Sequence, residues 1–440
     1  MKQISVQRMT LSGSLAFLAL LAFSGEALAQ APAAAPEAAP SESPPPAPPE
    51  AATSAPPPPA PVEAAPSAPP PAPPEVTPST PPPPAETKWY EPVASPTKIE
   101  TATSSVKLGA LMQGQFESVG SSGLDGMSNN LFMRRARILL GATLFDDLEF
   151  FFETDFADLH KANAEGVKST PGMNIQDAFF TYKGLGDPLK VDFGYILPPS
   201  SHNGLQSAAS LYGWDYYANS FRNSNSFNTS AGPVGRDLGL QLRGLLLDKK
   251  LEYRLSALQG LREPATMTDV QAQNMFRLAA RVQVNVLDPE TGFFYGGTYF
   301  GAKQILSFGA FYDFQDDYKH WGVDGFFEMP LGPGALTAQA NLVQYDGGDY
   351  IAALPKQTAI MAEAGYTFAA ARLSPIVRFE TRTMDESSAA SPDETRISGG
   401  LAYWLHGHNF NLKAFYTRVN PDPAPHGYNA INLQAQFFWF

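Results

Sequence analysis

The chain has 440 residues, a formal net charge of −13 and no cysteine. The absence of cysteine excludes disulfides, thiolate metal sites and cysteine nucleophiles. An acidic chain is also a poor partner for nucleic acid, whose phosphates require a basic surface. Proline is unevenly distributed, since 24 of the 41 prolines lie between residues 31 and 86. This segment therefore differs in kind from the rest of the chain.

The first 29 residues have the pattern of an export signal. Lys2 and Arg8 give a positive start, nine apolar residues follow at 15–23, and Ala27-Leu28-Ala29 matches a cleavage site. The apolar run is too short to span a bilayer as a helix. We therefore expect residues 1–29 to be a signal peptide.

Residues 30–86 are rich in proline and alanine. Such a segment lacks the backbone donors and the apolar area that a folded core needs, and it favours an extended polyproline II conformation. We expect a disordered periplasmic linker. It would act either as an inert spacer or as a tether that docks on another component of the cell envelope.

From residue 87 onward, apolar and polar residues alternate with a period of two, which predicts β-strands. In one segment, Leu148 and Phe150 oppose Glu149 and Glu153. Many of these segments extend to about ten residues, the length that crosses a bilayer at a tilt. Strands of a soluble β-sandwich, the alternative, usually have about five or six. Aromatic residues also gather at the strand ends, which favours a membrane barrel.

Residues 87–440 thus predict an all-β fold, a 16-stranded antiparallel transmembrane β-barrel that contacts outer-membrane lipid. A barrel of this size encloses an aqueous lumen. Short periplasmic turns should alternate with long outer loops such as 118–130. We reject a further strand at 292–301, because it would make the count odd and invert the alternation. The strands are expected at 105–117, 131–144, 147–158, 174–184, 187–197, 236–247, 250–258, 274–287, 304–315, 319–329, 334–345, 358–368, 371–383, 394–405, 408–419 and 429–440.

The 38-residue connection 198–235 is too long for a simple loop. Folded inward, it would narrow the pore; left outside, it would be a lid; it could also latch subunits together. Its candidate constriction residues are Asp215 and Arg222.

The polar face of each strand is expected to line the pore. Its charges are mixed, so any one of them could instead serve only as a structural salt bridge. Arg134 has the parity of Ala136 and Ile138 and should point outward to lipid headgroups. The predicted pore-lining residues are Arg135, Arg137, Glu149, Glu153, Asp155, Asp177, Arg243, Arg254, Arg277, Arg281, Arg378, Glu380 and Arg382.

Several segments resemble the phosphate-selective porins O and P, and their order and spacing together carry the resemblance. It implies a sixteen-stranded homotrimeric porin with an inward-folded third loop, through which phosphate-like anions diffuse along inward arginine and lysine residues. The segments are 131–158 (LFMRRARILLGATLFDDLEFFFETDFAD), 175–182 (IQDAFFTY), 191–199 (VDFGYILPP), 235–244 (GRDLGLQLRG) and 292–348.

The third loop departs from that pattern. Between residues 198 and 235 the one lysine or arginine is Arg222, and Asp215 offsets its charge, while His202 is the other titratable group; anion capture needs a basic constriction. We therefore predict a weakly anion-preferring porin for passive diffusion of small hydrophilic solutes, with phosphate-like anions among the candidates.

Two common enzyme signatures are absent from the sequence. No G-x-S-x-G or H-E-x-x-H motif occurs, and we predict no catalytic residue, metal or cofactor. His406 and His408 lie close together in an expected solvated turn. Two other functions are considered: a barrel that only anchors the proline-rich tether, and an outer-membrane hydrolase that uses His160 or His426. Conductance and hydrolysis measurements distinguish these from a porin.

Overall fold

The computed structural model describes residues 88–92, 97–216, 235–261, 275–349, 351, 354–388 and 391–440. Each expected strand is confirmed. The elements are β1 (Ile99–Glu100), β2 (Ser105–Ser121), β3 (Leu124–Leu144), β4 (Leu148–Asp155), β5 (Asn174–Tyr182), β6 (Lys190–Ile196), α1 (His202–Leu205), β7 (Asp237–Leu246), β8 (Leu251–Leu258), β9 (Arg277–Asn285), β10 (Ile305–Gln315), β11 (Tyr318–Leu331), β12 (Gly334–Asp346), β13 (Gln357–Phe368), β14 (Leu373–Met384), β15 (Asp393–His406), β16 (Phe410–Asp422) and β17 (Tyr428–Trp439).

Strands β2 to β17 form a closed, 16-stranded antiparallel barrel. Each strand pairs with the next in the chain, and β17 pairs with β2, from Ala430 opposite Val119 to Trp439 opposite Ala110. The two-residue strand β1 adds to β2 at one end. Closure leaves no free sheet edge, which is what a sheet needs to satisfy its backbone groups within a membrane.

The barrel has its apolar side chains outside and its polar side chains inside, the reverse of a soluble protein. In β10, Phe308 and Tyr312 are 57% and 43% exposed, whereas Ser307 and Asp313 are buried. Apolar side chains therefore cover the outside and polar ones the inside. This alternation is typical of a barrel in contact with lipid. In the described part of the chain, no helix is long and apolar enough to cross a membrane.

The connections differ between the two ends of the barrel. Turns 145–147, 332–333, 369–372 and 407–409 are short and lie at one end, which we call the short-turn end. The opposite end, which we call the long-loop end, carries longer connections such as the one between β6 and β7.

One expected long loop is absent. We expected a loop at 118–130, but β2 and β3 continue to Ser121 and Leu124, and only two residues connect them. Val119 pairs with Ser128, and Gly123 has φ +98°. Glycine tolerates this left-handed conformation and so permits the tight turn. Most of the polar residues that suggested a loop lie instead in solvent-exposed parts of β2 and β3.

The rejection of a strand at 292–301 is confirmed. The connection 286–304 starts at the short-turn end and turns inward, where Tyr295 is buried and forms an isolated bridge with Gln206. The described part of the lumen is therefore partly filled from the short-turn end.

Gly109 lies where β17 pairs with β2 to close the barrel, and the space beside it has no room for a larger side chain. A Cβ at this position would press on the Trp439 carbonyl and come within 2.7 Å of the Phe440 ring, whereas at Gly114 it would meet only Met133, at 4.0 Å. Gly109→Ala should therefore lower the yield of folded barrel, measured by heat-modifiable mobility in gels. Gly114→Ala, on the same strand, is the matched control. Equal yields for the two variants would contradict this account of the closure.

Candidate functional site in the barrel lumen

The connection between β6 and β7, here called loop 3 (197–236), folds into the barrel over its described residues 197–216. Leu205 and Leu211 are buried, so the structure shows the inward alternative for this part of the loop. Backbone carbonyls of an irregular segment need donors away from water, and the barrel wall supplies them. Lys413 donates from Nζ to the carbonyls of Leu211 and Gly213, each at 2.7 Å.

Three arginines bind Asp215, near the end of the described part of loop 3. Arg134 Nε lies 2.7 Å from one carboxylate oxygen of Asp215, and Arg135 Nη2 lies 2.6 Å from the other. Arg378 Nη2 donates to the Asp215 carbonyl at 2.9 Å. Burial alone would raise the pKa of Asp215, but the two guanidinium groups at its carboxylate hold that pKa below its usual range. We call this contact the Asp215 clamp. Arg222, the other expected constriction residue, lies outside the described residues.

The expectation that Arg134 points to lipid is wrong. Gln113 pairs with Arg135 and Gly114 pairs with Met133, so Arg134 is an extra residue in β3. Such a bulge shifts the alternation of side chains. It brings the neighbouring Arg134 and Arg135 to the same carboxylate.

Most other expected pore-lining charges are paired inside the barrel. Arg137 lies 2.9 Å from Asp155, and Arg281 lies 2.6 Å from Asp324. The structure also pairs Asp177 with Arg236, at 2.8 Å, an arginine that we did not anticipate. Within each pair, the positive charge of the arginine and the negative charge of the carboxylate largely cancel. Buried on the polar face are Arg135, Arg137, Glu153, Asp155, Asp177, Arg243, Arg254, Arg277, Arg281, Arg378 and Glu380, whereas Glu149 and Arg382 are half-buried.

A cavity of about 570 Å³ opens at the short-turn end. We call it the basic vestibule. Glu149 forms an ion pair with Lys183 at 2.7 Å. Among the described residues, the Lys107 ammonium forms no ion pair or hydrogen bond, and it lies over the Phe440 ring. Cations therefore outnumber carboxylates in the lining. Its charged residues are Lys107, Lys183, Lys190, Arg243 and Glu149, and its aromatic residues are Phe150, Phe151, Phe179, Phe293, Phe294 and Phe440.

A second cavity, of about 130 Å³, lies deeper and is lined by Arg137, Tyr216 and other residues. Phe151, Phe294 and Phe440 line both cavities. Aromatic rings therefore stand between the basic vestibule and the described part of loop 3. The lysines of the vestibule were missed as pore residues, although the alternation already placed Lys107 on the polar face.

Loop 3 also contacts the inward connection 286–304. His202 Nε2 lies 2.7 Å from a carboxylate oxygen of Glu290, and the Tyr299 hydroxyl donates to the other oxygen at 2.6 Å. Burial would raise the pKa of Glu290, but His202 and Tyr299 hold it below its usual range. The His202 ring stacks on Phe326, with centroids 4.3 Å apart. Segments from both ends of the barrel thus brace each other within the lumen.

Of the two histidines in the turn that we expected to be solvated, His408 is half-buried and contacts neighbouring residues. Its ring lies 4.8 Å from that of Phe300, and its Nε2 is 3.0 Å from the Thr298 carbonyl oxygen. Burial lowers the pKa of His408 to about 4. His406 is exposed. In the described part of the chain, no group of three or more His, Cys, Asp or Glu residues is arranged to hold a metal.

His408 should make barrel stability depend on pH. The folded state keeps this imidazole neutral to a pH of about 4, whereas an exposed one binds a proton near pH 6.5, at about its usual pKa. The unfolded chain then binds a proton that the folded chain does not, so stability falls as the pH drops through this range. The urea midpoint at pH 7 and at pH 5 measures the loss. It should shrink in His408→Gln and persist in the control His406→Gln; an unchanged loss in both would refute the assignment.

Comparison with known proteins gives a family and three distant structures. The family model for phosphate-selective porin O and P matches residues 106–227. The channel DcaP of Acinetobacter baumannii is 14% identical, with 79% of this chain and 100% of that chain covered and a TM-score of 0.48. OmpF of Salmonella typhi, in complex with daunomycin, is 15% identical; the match covers 78% of this chain and 100% of that chain, with a TM-score of 0.48. An anion-selective porin from Comamonas acidovorans is 12% identical; the match covers 76% of this chain and 100% of that chain, with a TM-score of 0.47.

No curated protein matches the chain. The family match spans β2 to β6 and the described inward part of loop 3. The matched model describes a family of porins. The resemblance found in the sequence is thus confirmed over residues 106–227, where the chain matches the model of the phosphate-selective porins O and P. The segments 235–244 and 292–348 lie outside this match, and the fold of the chain is a closed 16-stranded antiparallel barrel.

Proposed function

We propose that this protein is a passive outer-membrane porin for small hydrophilic solutes, with a weak preference for anions. The observation that carries the preference is the basic vestibule, an entrance to the barrel where the Lys107 ammonium has no ion pair among the described residues. The other cations of its lining are paired, Lys183 with Glu149, Lys190 with Asp187 and Arg243 with Asp192, which keeps the preference weak. A low-dielectric wall focuses the field of such charges, so a few of them can dominate permeation.

The deeper charges support a weak preference instead of a strong one. Arg137, Arg277 and Arg281 lie against carboxylates at 2.6 to 2.9 Å, and their fields cancel at a distance. The Asp215 clamp likewise neutralises the described tip of loop 3. A saturable phosphate site would need several convergent donors that carboxylates do not already occupy. Phosphate would therefore pass as one small anion among others.

We further propose where the other segments lie and how the barrel assembles. Residues 1–29 would direct export, residues 30–86 would remain a periplasmic linker with an envelope component as its partner, and the barrel would form a homotrimer, as the family resemblance implies. Residues 1–87 lie outside the described part of the chain. Conductance separates this proposal from a barrel that serves only as an anchor.

The wild-type protein should conduct chloride in planar bilayers with a modest anion preference. The preference is measured as the reversal potential in a salt gradient. Because the deep charges are paired, conductance should rise with salt without saturating, and sub-millimolar phosphate should leave the chloride current unchanged. Block by phosphate would reveal a specific site and contradict the proposal. Cation preference would show that Glu149, Glu153 and Asp155 control permeation instead.

Removal of the Asp215 carboxylate should strengthen the anion preference. In Asp215→Asn, the guanidinium groups of Arg134 and Arg135 lose their partner, and the reversal potential should move further toward that of chloride. Asp158→Asn is the matched control, because Asp158 lies 3.4 Å from Arg134 but is 41% exposed, and such pairs are screened by water. An equal shift in both variants, or none in Asp215→Asn, would argue against the clamp.

A further inference from the structure

The basic vestibule has an aromatic wall that passive diffusion of ions does not require. The rings of Phe179 and Phe293 stack with centroids 4.5 Å apart, and Phe293 meets Phe294 at 4.9 Å. Phe151 lies 6.0 Å from Phe294 and 5.7 Å from Phe440. These contacts make one continuous surface from β4, β5, the connection 286–304 and the last residue of the chain.

The wall is fixed by its surroundings. Arg254 donates to the carbonyls of Phe293, at 2.7 Å, and Gly292, at 3.2 Å, which holds the connection 286–304 in place. A Cβ on Gly141 would come within 2.8 Å of the Phe440 ring, so this glycine makes room for it. The rings are therefore held before any ligand arrives, which reduces the entropic cost of binding.

Cations lie beside the same rings. Lys107 Nζ is 3.8 Å from the centroid of Phe440, and the Arg243 guanidinium carbon is 5.3 Å from that of Phe293. Arg243 already pairs with Asp192, whereas the Lys107 ammonium has no carboxylate within ion-pair distance among the described residues. A ligand with a carboxylate next to a flat apolar ring could satisfy Lys107 and stack on the wall together.

We propose that the basic vestibule binds small aromatic carboxylates. Its volume of about 570 Å³ lies within the range of roughly 300 to 1,000 Å³ that is usual for small-molecule pockets. A saturated ring carries the same charge but stacks less well, and phosphate offers no apolar surface. The inference rests on the proposed function, because it names a solute class for that channel, but binding can be measured without transport.

The test is calorimetry on the full-length folded protein in detergent, with benzoate, cyclohexanecarboxylate and phosphate as probes. Benzoate should bind about three- to ten-fold more tightly than cyclohexanecarboxylate, the range expected for aromatic stacking beyond burial. Phosphate should bind more weakly than either. Equal affinity for the two carboxylates would overturn the role of the wall, and tighter binding of phosphate would make the vestibule a simple anion site.

Substitutions then locate the site. Lys107→Met should weaken benzoate binding on the order of ten-fold, as loss of a charged hydrogen-bond partner does, and Lys107→Arg should retain it. The control Lys161→Met removes another lysine that lies over a ring, Phe132, at the long-loop end. Lys161→Met should bind benzoate like the wild type. An unchanged affinity in Lys107→Met would refute the site.

A second variant tests the wall through a different segment. Phe294→Leu should reduce the advantage of benzoate over cyclohexanecarboxylate, whereas Phe180→Leu, on the exposed outer face next to Phe179, should preserve it. Each variant is first shown to form a heat-modifiable barrel. Chloride conductance is measured in parallel: current without selective benzoate binding rejects this inference alone, whereas binding without current rejects the proposed function alone.

Discussion

Inside the barrel, buried guanidinium groups lie against carboxylates, and the arrangement of the lumen depends on this pairing. A buried charge without a partner costs several kcal/mol, so each arginine on the inner face constrains which carboxylate must lie near it. Arg277 with Asp313 and Arg281 with Asp324 connect neighbouring or next-neighbouring strands. Each pair compensates a buried charge, and the pairs leave little net charge for a passing solute.

The same constraint positions the segments that enter the lumen. Loop 3 has backbone carbonyls that need donors, and Lys413 and Arg378 supply them from the wall. The connection 286–304 meets loop 3 through His202 and Glu290. Because both segments are anchored to the inner face and to each other, the described lumen is narrowed by rigid contacts. The charge that remains available to solutes is concentrated in the basic vestibule.

The strands could be located from sequence because lipid and lumen impose opposite requirements on alternate residues. That rule placed every strand, and it put Arg137, Asp177 and Arg281 on the inner face. It failed at Arg134, since one extra residue in β3 shifts the alternation and no sequence signal marks the bulge. It also treated 118–130 as a loop, because polar residues in a strand that is exposed on both faces resemble loop residues.

The sequence alone could not predict which charged side chains pair with each other or which residues line the cavities. The pairing of Asp215 with Arg134 and Arg135 joins a loop to a strand that lies about 80 positions away in the chain, and only the folded register brings them together. The aromatic wall likewise combines Phe151, Phe294 and Phe440 from three separate segments. Period-two patterns assign a face to each side chain, but not the neighbours that it meets there.

The position of loop 3 inside the lumen is the central claim, and the absence of cysteine makes it directly testable. Tyr216 lines the deeper cavity, so a Tyr216→Cys variant would carry a single thiol there. Reaction with a bulky, charged thiol reagent should lower the single-channel current in a step, because the adduct would occupy the conducting lumen. Complete modification, verified by mass spectrometry, with no change in current would place this residue away from the permeation path and contradict the account.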